Sequence, residues 1–239
     1  MPQYPIHKTE NKIAVISLGG SLIVPNQVDI QYLAAFKTFI LDQLNKGWRF
    51  FIITGGGMQA RNYIDAATAI MGDEITKDDQ DWLGIHATRF NAHLLRTIFR
   101  DQAQPAIITD PELDHISDAK IVVVSGWKPG WSTDFVATKV AQRINAPYLI
   151  NLSNIAQVYT DDPNKNPDAQ PIEKMTWKDF REMVGDEWTP GMNTPFDPIA
   201  AKLAQQEGQT VLVMDGKNLD NLGNAFAQGE FFGTVICEE

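Results

Sequence analysis

Short apolar runs alternate along this chain with longer stretches of helical period. Residues 12–17 (KIAVIS) and 48–54 (WRFFIIT) are rich in β-branched and aromatic side chains, run into glycines, and read as buried strands. Between them, 29–46 brings Ile30, Leu33, Phe36, Ile40, Leu41 and Leu44 near one helical face, with Gly47 as the stop. Residues 58–69 predict the next helix. Residues 82–102 predict a longer one, with Leu83, Phe90, Leu94, Ile98 and Phe99 as its apolar stripe. Residues 106–109 and 120–125 are strand candidates, 133–145 a helix, and 147–152 the strand after it.

Beyond Leu152 the pattern changes. Residues 159–175 (YTDDPNKNPDAQPIEKM) are rich in Pro, Asp and Asn, which predicts a turn-dominated excursion or a hairpin. Residues 176–184 form a short helix with Thr176 as N-cap. Asp197-Pro198 opens another, stopped at Gly208, and 210–215 and 233–237 supply the last strands. Strands alternating with helices imply an α/β fold, a largely parallel sheet covered on both faces. At about 150 residues per domain, 239 residues make one large domain or two small ones. With no repeat, low-complexity tract or clear linker, one compact unit of two lobes fits best.

Composition narrows the function classes. Lys plus Arg is 20 against 30 for Asp plus Glu, a net charge of −10, which argues against nucleic-acid binding and leaves no polybasic membrane patch. Cys237 is the one cysteine, so no internal disulfide or CxxC pair exists. His7, His86, His93 and His115 show no HxxxH or HExxH spacing, which argues against zinc. No apolar run approaches 18 residues and the N-terminus lacks a signal-peptide core, so a soluble cytoplasmic protein is expected.

Ligands of open α/β sheets sit beyond the carboxyl ends of the strands, so the loops there carry the candidate chemistry. Gly19-Gly20-Ser21 and Gly55-Gly56-Gly57 each lie where a strand hands over to a helix. Glycines there let a backbone approach an anion closely, or simply make a tight turn. No GxxxxGK[ST] is present, which excludes a Walker-type nucleoside triphosphatase. Residues 55–60 fit GxGxxA, but the acid taken near the required distance, Asp81, falls at a helix start rather than a strand end, so the dinucleotide reading is weak. Residues 126–134 (GWKPGWSTD) would put hydroxyls and N–H groups at a helix start, with Asp134 either functional or a first-turn acid complementing the helix dipole. Arg61, on the first turn after the glycine triplet, can reach a phosphate or remain a solvated surface charge.

In order along the chain, LGGSLIVP (18–25), TGGGMQARNYIDAA (54–67), DWLGIHATRFNAHLL (81–95), GWKPGWSTDFVA (126–137), SNIAQVYTDDPNKNPDA (153–169) and FDPIAAKLA (196–204) resemble the amino acid kinase superfamily, most closely its archaeal-type UMP kinases. The resemblance implies a three-layer α/β/α sandwich with a mostly parallel sheet. An N-terminal lobe of about 1–146 would hold the acceptor, and a C-terminal lobe of about 147–239 would hold ATP. By motif, Gly56, Asp81, Trp127, Lys128, Pro129, Gly130, Trp131, Ser132 and Thr133 would bind UMP, with Asp81 on the ribose hydroxyls. Gly19, Gly20, Ser21, Gly57 and Arg61 would lie along the phosphates, while Ser153, Asn154, Tyr159 and Asp162 would surround the adenosine of ATP. Asp134, Arg61 and Lys128 would serve catalysis, with Mg²⁺ sharing the charge. The resemblance also implies a homo-oligomer of six copies.

The chain departs from the pattern at two places. Many members carry a lysine where this chain has Ser17, and the usual Val-Asp-Gly-Val/Ile reads Ile155-Ala156-Gln157-Val158. Without that lysine the transition-state charge falls to Mg²⁺, Arg61, Lys128 or Lys202. The implied activity is transfer of the γ-phosphate of ATP to UMP. The alternatives are a kinase for another small phosphate or carboxylate acceptor, or a non-catalytic binder of nucleotide or oxoanion of the molybdate-storage kind.

Overall fold

The computed structural model describes residues 4, 6, 11–163, 165–185, 187 and 194–238, so His7 lies outside the described residues. Strand β1 (Ile13–Leu18) leads through one turn, α1 (Gly20–Ile23), into α2 (Ile30–Asn45) and β2 (Arg49–Thr54). Helices α3 (Gly57–Met71) and α4 (Lys77–Ile98) precede β3 (Ile121–Val124), and α5 (Thr133–Arg143) precedes β4 (Tyr148–Ser153). Next come β5 (Val158–Tyr159), β6 (Pro171–Ile172), β7 (Lys174–Thr176), α6 (Trp177–Val184) and α7 (Pro198–Gln206). The chain closes with β8 (Thr210–Asp215), α8 (Leu219–Gln228) and β9 (Thr234–Cys237).

Seven strands form one sheet in the order β3-β2-β1-β4-β8-β9-β7. The first five are mutually parallel, β9 turns antiparallel to β8, and β7 runs parallel to β9. Alternation along each strand builds two cores. Ala14, Ile16, Phe50 and Ile52 pack with Phe36, Leu95 and Phe226 of α2, α4 and α8 on one face. Val15, Phe51 and Ile53 pack with Val136, Trp177 and Ala201 of α5, α6 and α7 on the other. The result is the expected three-layer α/β/α sandwich.

Side-chain caps set most helix starts. Asp29, Ser132, Thr176 and Asp197 each accept from the backbone N–H three residues on, and Thr76 forms a capping box with Asp79. That box starts α4 at Lys77, so Asp81 sits one turn inside the helix rather than at its start. The 159–175 segment does make a hairpin, Val158 opposite Ile172 and Tyr159 opposite Pro171.

Three expectations are corrected. Residues 106–109 form no strand; only Ile108 pairs with the outer side of β3, its N–H donating to the carbonyl of Val123 and its own carbonyl accepting from the N–H of Ser125, so the contact stays a single bridge to Val124. In α2, Ile30 is 77 % exposed and Leu41 half-buried, and Gln43 turns inward instead. In α4, Phe90 is 68 % exposed and the buried row runs through Ile85, Thr88, Ala92 and Leu95. The bulky apolar residues misphased the helix, since its inner face carries small and polar side chains that meet backbone.

Candidate active site

The strand order reverses at β1. The chain steps from β1 out to β2 and β3, then returns to place β4 on the other side of β1. The crevice at such a switch point, beyond the carboxyl ends, is where open α/β sheets bind ligands. Both glycine loops lie there and pack against each other. A methyl on Gly20 would overlap the amide nitrogen of Gly57 and come within 2.7 Å of the carbonyl carbons of Gly55 and Gly56. Gly57 itself has φ +67°, a conformation that glycine adopts at no steric cost. The tight-packing role therefore holds for Gly20, Gly55 and Gly57. The N–H groups of Gly19, Gly55 and Met58 are spent on the carbonyls of Leu152, Leu18 and Val24. Those of Gly20, Ser21, Gly56 and Gly57 have no acceptor among the described residues and are left for a ligand.

Helix α4 pins these loops through two residues that sequence reasoning missed. Asn91 Nδ2 donates to the carbonyl of Gly55 at 2.8 Å and of Gly56 at 3.2 Å. One turn earlier, Thr88 Oγ1 accepts from the N–H of Gly126 at 2.7 Å. Both side chains are buried polar groups on the inner face of α4, a signal readable only once the helix is phased correctly. Asn91→Ala is expected to cost about 1–3 kcal/mol, since it strands buried carbonyls, and to lower Tm by several degrees in thermal denaturation.

The 126–133 loop is drawn onto α4 as well. The Asp81 carboxylate accepts from the N–H of Gly130 at 2.7 Å, and Gly130 has φ +84°. Trp127 stacks on Trp131 at 6.3 Å and Trp131 on Phe135 at 4.0 Å, while the exposed Lys128 ammonium lies 3.8 Å from the Trp127 ring centre. Arg89, another residue sequence reasoning passed over, sits over Trp82 and donates to the carbonyl of Trp127 at 3.3 Å. Pro129 is half-buried in the same loop. Ser132 caps α5 by accepting from Phe135, so Thr133 and Asp134 are its first helical residues.

Asp134 does not stand alone. Its Oδ1 accepts from the Ser17 hydroxyl at 2.9 Å and its Oδ2 from the backbone N–H of Asp197 at 3.2 Å. The Asp197 carboxylate caps α7 at the N–H of Ala200, is only 4 % exposed, and keeps Oδ2 without a partner. Burial, then the Asp197 charge, pushes the Asp134 carboxyl up to about 7; burial pushes Asp197 up to about 6. Ser17 thus supplies a neutral hydrogen bond where the resemblance often places a cation. Asp197 lies 63 residues from Asp134 in sequence, and its capping role hid this pairing.

The other half of the crevice is a cavity of about 640 Å³, lined by Asn154, Ala156, Gln157, Tyr159 and Asp162 on one side and by Met183 and Pro195 on the other. Asp162 pairs with Lys165 at 3.5 Å. Ser153 stands just outside the cavity, its hydroxyl accepting from the N–H of Ile155. Arg61 is exposed on α3 without an ion pair among the described residues, and Lys202 is exposed on α7. Neither is drawn into the Asp134 cluster. Among the described residues no group of three or more His, Cys, Asp or Glu could hold a metal, and no helix is long and apolar enough to cross a membrane.

Residues 12–215 match the amino acid kinase family. A uridylate kinase of Methanoculleus marisnigri is 35 % identical over 95 % of this chain and 97 % of its own length. A uridylate kinase of Pyrococcus abyssi is 32 % identical over 93 % of this chain and 98 % of its own. The crystal structure of uridylate kinase from Archaeoglobus fulgidus superimposes with a TM-score of 0.77, at 29 % identity, over 95 % of this chain and all of that one.

Proposed function

Because the chain belongs to the amino acid kinase family, we propose that it transfers the γ-phosphate of ATP to UMP, giving ADP and UDP. The observation that carries this reading is the end-to-end match to proteins named uridylate kinase, at about one residue in three. The site geometry supports it. In this reading the N-terminal lobe, about 1–146, holds UMP between α4 and the 126–133 loop. The C-terminal lobe, about 147–239, holds ATP in the cavity beside β5.

Phosphoryl transfer asks for in-line positioning and neutralised charge rather than covalent help. The free N–H groups of Gly20, Ser21, Gly56 and Gly57 line the path between the two nucleotides. A phosphate oxygen of UMP forms the new bond to the γ-phosphorus as the bond to the bridging oxygen of ADP breaks. Asp81 holds Gly130 and so shapes the loop that meets the ribose, while Trp127 and Trp131 offer ring faces to the base. Asn154 and Tyr159 meet the adenosine, with Ser153 and Asp162 at the margins. Lys128 and Arg61, both exposed, are the cations left to swing onto the phosphates in place of the absent lysine.

Mg²⁺ fits this donor set: it binds through substrate phosphates, waters and one or two carboxylates rather than an all-protein cage, and Asp134 is the partly exposed carboxylate at hand. Bound there, it would neutralise phosphate charge in the transition state. With γ-labelled ATP, the label is expected in the β-phosphate of UDP. Tight retention of nucleotide or molybdate without any labelled UDP would favour a storage role instead.

A homo-oligomer, six copies by resemblance, is supported by α3: none of its residues is buried, and Tyr63 and Ile70 are 61 % and 85 % exposed. Sedimentation equilibrium is expected to give a multiple of the chain mass, and Ile70→Glu to lower it. The substrates put the reaction in the cytoplasm.

A further inference from the structure

Phe135, Trp131 and Trp127 form a row of rings, with centres 4.0 Å and then 6.3 Å apart and each pair inclined by 28°. Phe135, at one end of the row, is packed in the core and only 7 % exposed. The Lys128 ammonium lies 3.8 Å from the centre of the Trp127 ring, and among the described residues it lies over no other ring. It therefore caps the far end of the row rather than sitting between the indoles. Neither spacing leaves a slot for a third ring, because both are those of ring pairs already in contact. A planar base extends this row at its open end, and that is the face the ammonium covers.

Trp127 is held in place, whereas Lys128 is free to move. Arg89 donates to the Trp127 carbonyl, and the Asp110 carboxylate stands beside both the Trp127 side chain and the ammonium. Asp110 is itself tied down by the N–H groups of Glu112 and Leu113. Lys128 is exposed, a point charge on a flexible four-carbon stem. We propose that Lys128 is parked on Trp127 and that the base of the acceptor releases it, a conclusion that rests on reading the 126–133 loop as the acceptor site. A base stacked on an indole is held more strongly than an exposed ammonium over the same ring, so the exchange runs towards the base. The displaced ammonium then turns to the phosphates, where this chain lacks the lysine replaced by Ser17. A phosphate acceptor without a base leaves the cation parked. Trp127 thereby makes the charge needed for transfer conditional on the base, and selects nucleotides over plain sugar phosphates through kcat as well as KM.

Two readouts test this. In native protein carrying ¹³C-lysine, the ε-methylene signal of Lys128, identified by its loss in Lys128→Arg, is expected upfield because it sits over the indole face. Saturating UMP should return it to the ordinary lysine position, while ribose 5-phosphate should leave it upfield. In kinetics, the native kcat with UMP is expected to exceed that with ribose 5-phosphate by about tenfold or more, the effect of one cation at the transferring phosphate. Trp127→Phe keeps a ring and should keep most of that ratio. Trp127→Ala has no parking place, so its ratio should fall several-fold, whereas a merely structural Trp127 would lower turnover of both acceptors together. A Lys128 signal still upfield with UMP bound, or a Trp127→Ala protein that rejects ribose 5-phosphate as strictly as native protein, would overturn the exchange while leaving the kinase reading intact. Native protein that transfers no phosphate to UMP would overturn the kinase reading itself.

Discussion

Asp134→Asn is expected to lower kcat by about 100-fold or more while making the protein more stable at neutral pH. The kinetic loss follows from removing a carboxylate at the switch point, where charge develops during transfer. The geometry survives the change. An asparagine can accept from the N–H of Asp197 with its oxygen and donate to the Ser17 hydroxyl with its nitrogen, replacing both present bonds. The stability gain follows from linkage. The Asp134 and Asp197 carboxyls are raised from the ordinary 3.8 to about 7 and about 6, so between pH 4 and 7 the folded chain holds protons that the unfolded chain has released. Stability therefore falls as pH rises through that window, because ionising Asp134 beside the buried Asp197 carboxyl is unfavourable. Removing one charge relieves this by on the order of 1–3 kcal/mol, discounted for the partial exposure of Asp134. Thermal melts of native protein and variant from pH 4 to 8 should start together and diverge as pH rises. Curves that stay parallel, or a variant with full activity, would contradict the paired-carboxyl account.

Gly20→Ala is expected to be the most disruptive single methyl in the chain. The added carbon would strike the backbone of Gly57 and crowd Gly55 and Gly56, and backbone cannot step aside as the tip of a side chain can. The opposing loop is also held by Asn91 and by the strand ladder between β1 and β2, leaving no free direction for it to move. A loss of about 4 kcal/mol or more, close to total unfolding for a marginally stable domain, is the expected result. Gly223→Ala is the matched control. Gly223 lies inside α8 with nothing nearer to the new methyl than Phe39 at 4.0 Å, so helix propensity should raise stability by about 1 kcal/mol. Denaturant midpoints for the pair measure both effects. Similar midpoints would mean that the two glycine loops do not meet as described.

The layered sandwich was legible because buried parallel strands such as 48–54 are continuous apolar runs that end in glycine, and few other structures produce that pattern. Helix ends were legible wherever a cap made them so, as at Thr176 and Asp197. The phase of α4 was not. Its inner face is built from Thr88, Asn91 and Ala92, which meet backbone loops, while Phe90 points outward. A hydrophobic stripe reports packing against side chains and is silent about packing against glycine. The candidate site divides along the same line. The loops that ride on strand ends were found by position, including Asp134 and the 126–133 segment. The partners that orient them, Asp197, Asn91 and Arg89, come from distant elements and were concealed behind ordinary helical roles. Ser17 stood out as a missing lysine, and only the fold shows its hydroxyl on Asp134.

The most direct test of the central claim is a coupled ADP-release assay with Mg-ATP against UMP, CMP, dUMP, carbamate, acetylglutamate and isopentenyl phosphate. Turnover confined to UMP is the predicted result, and it would show that the Ser17–Asp134–Asp197 arrangement supports phosphoryl transfer without the lysine. Silence across the panel with ATP still bound, or turnover with a different acceptor alone, would contradict it.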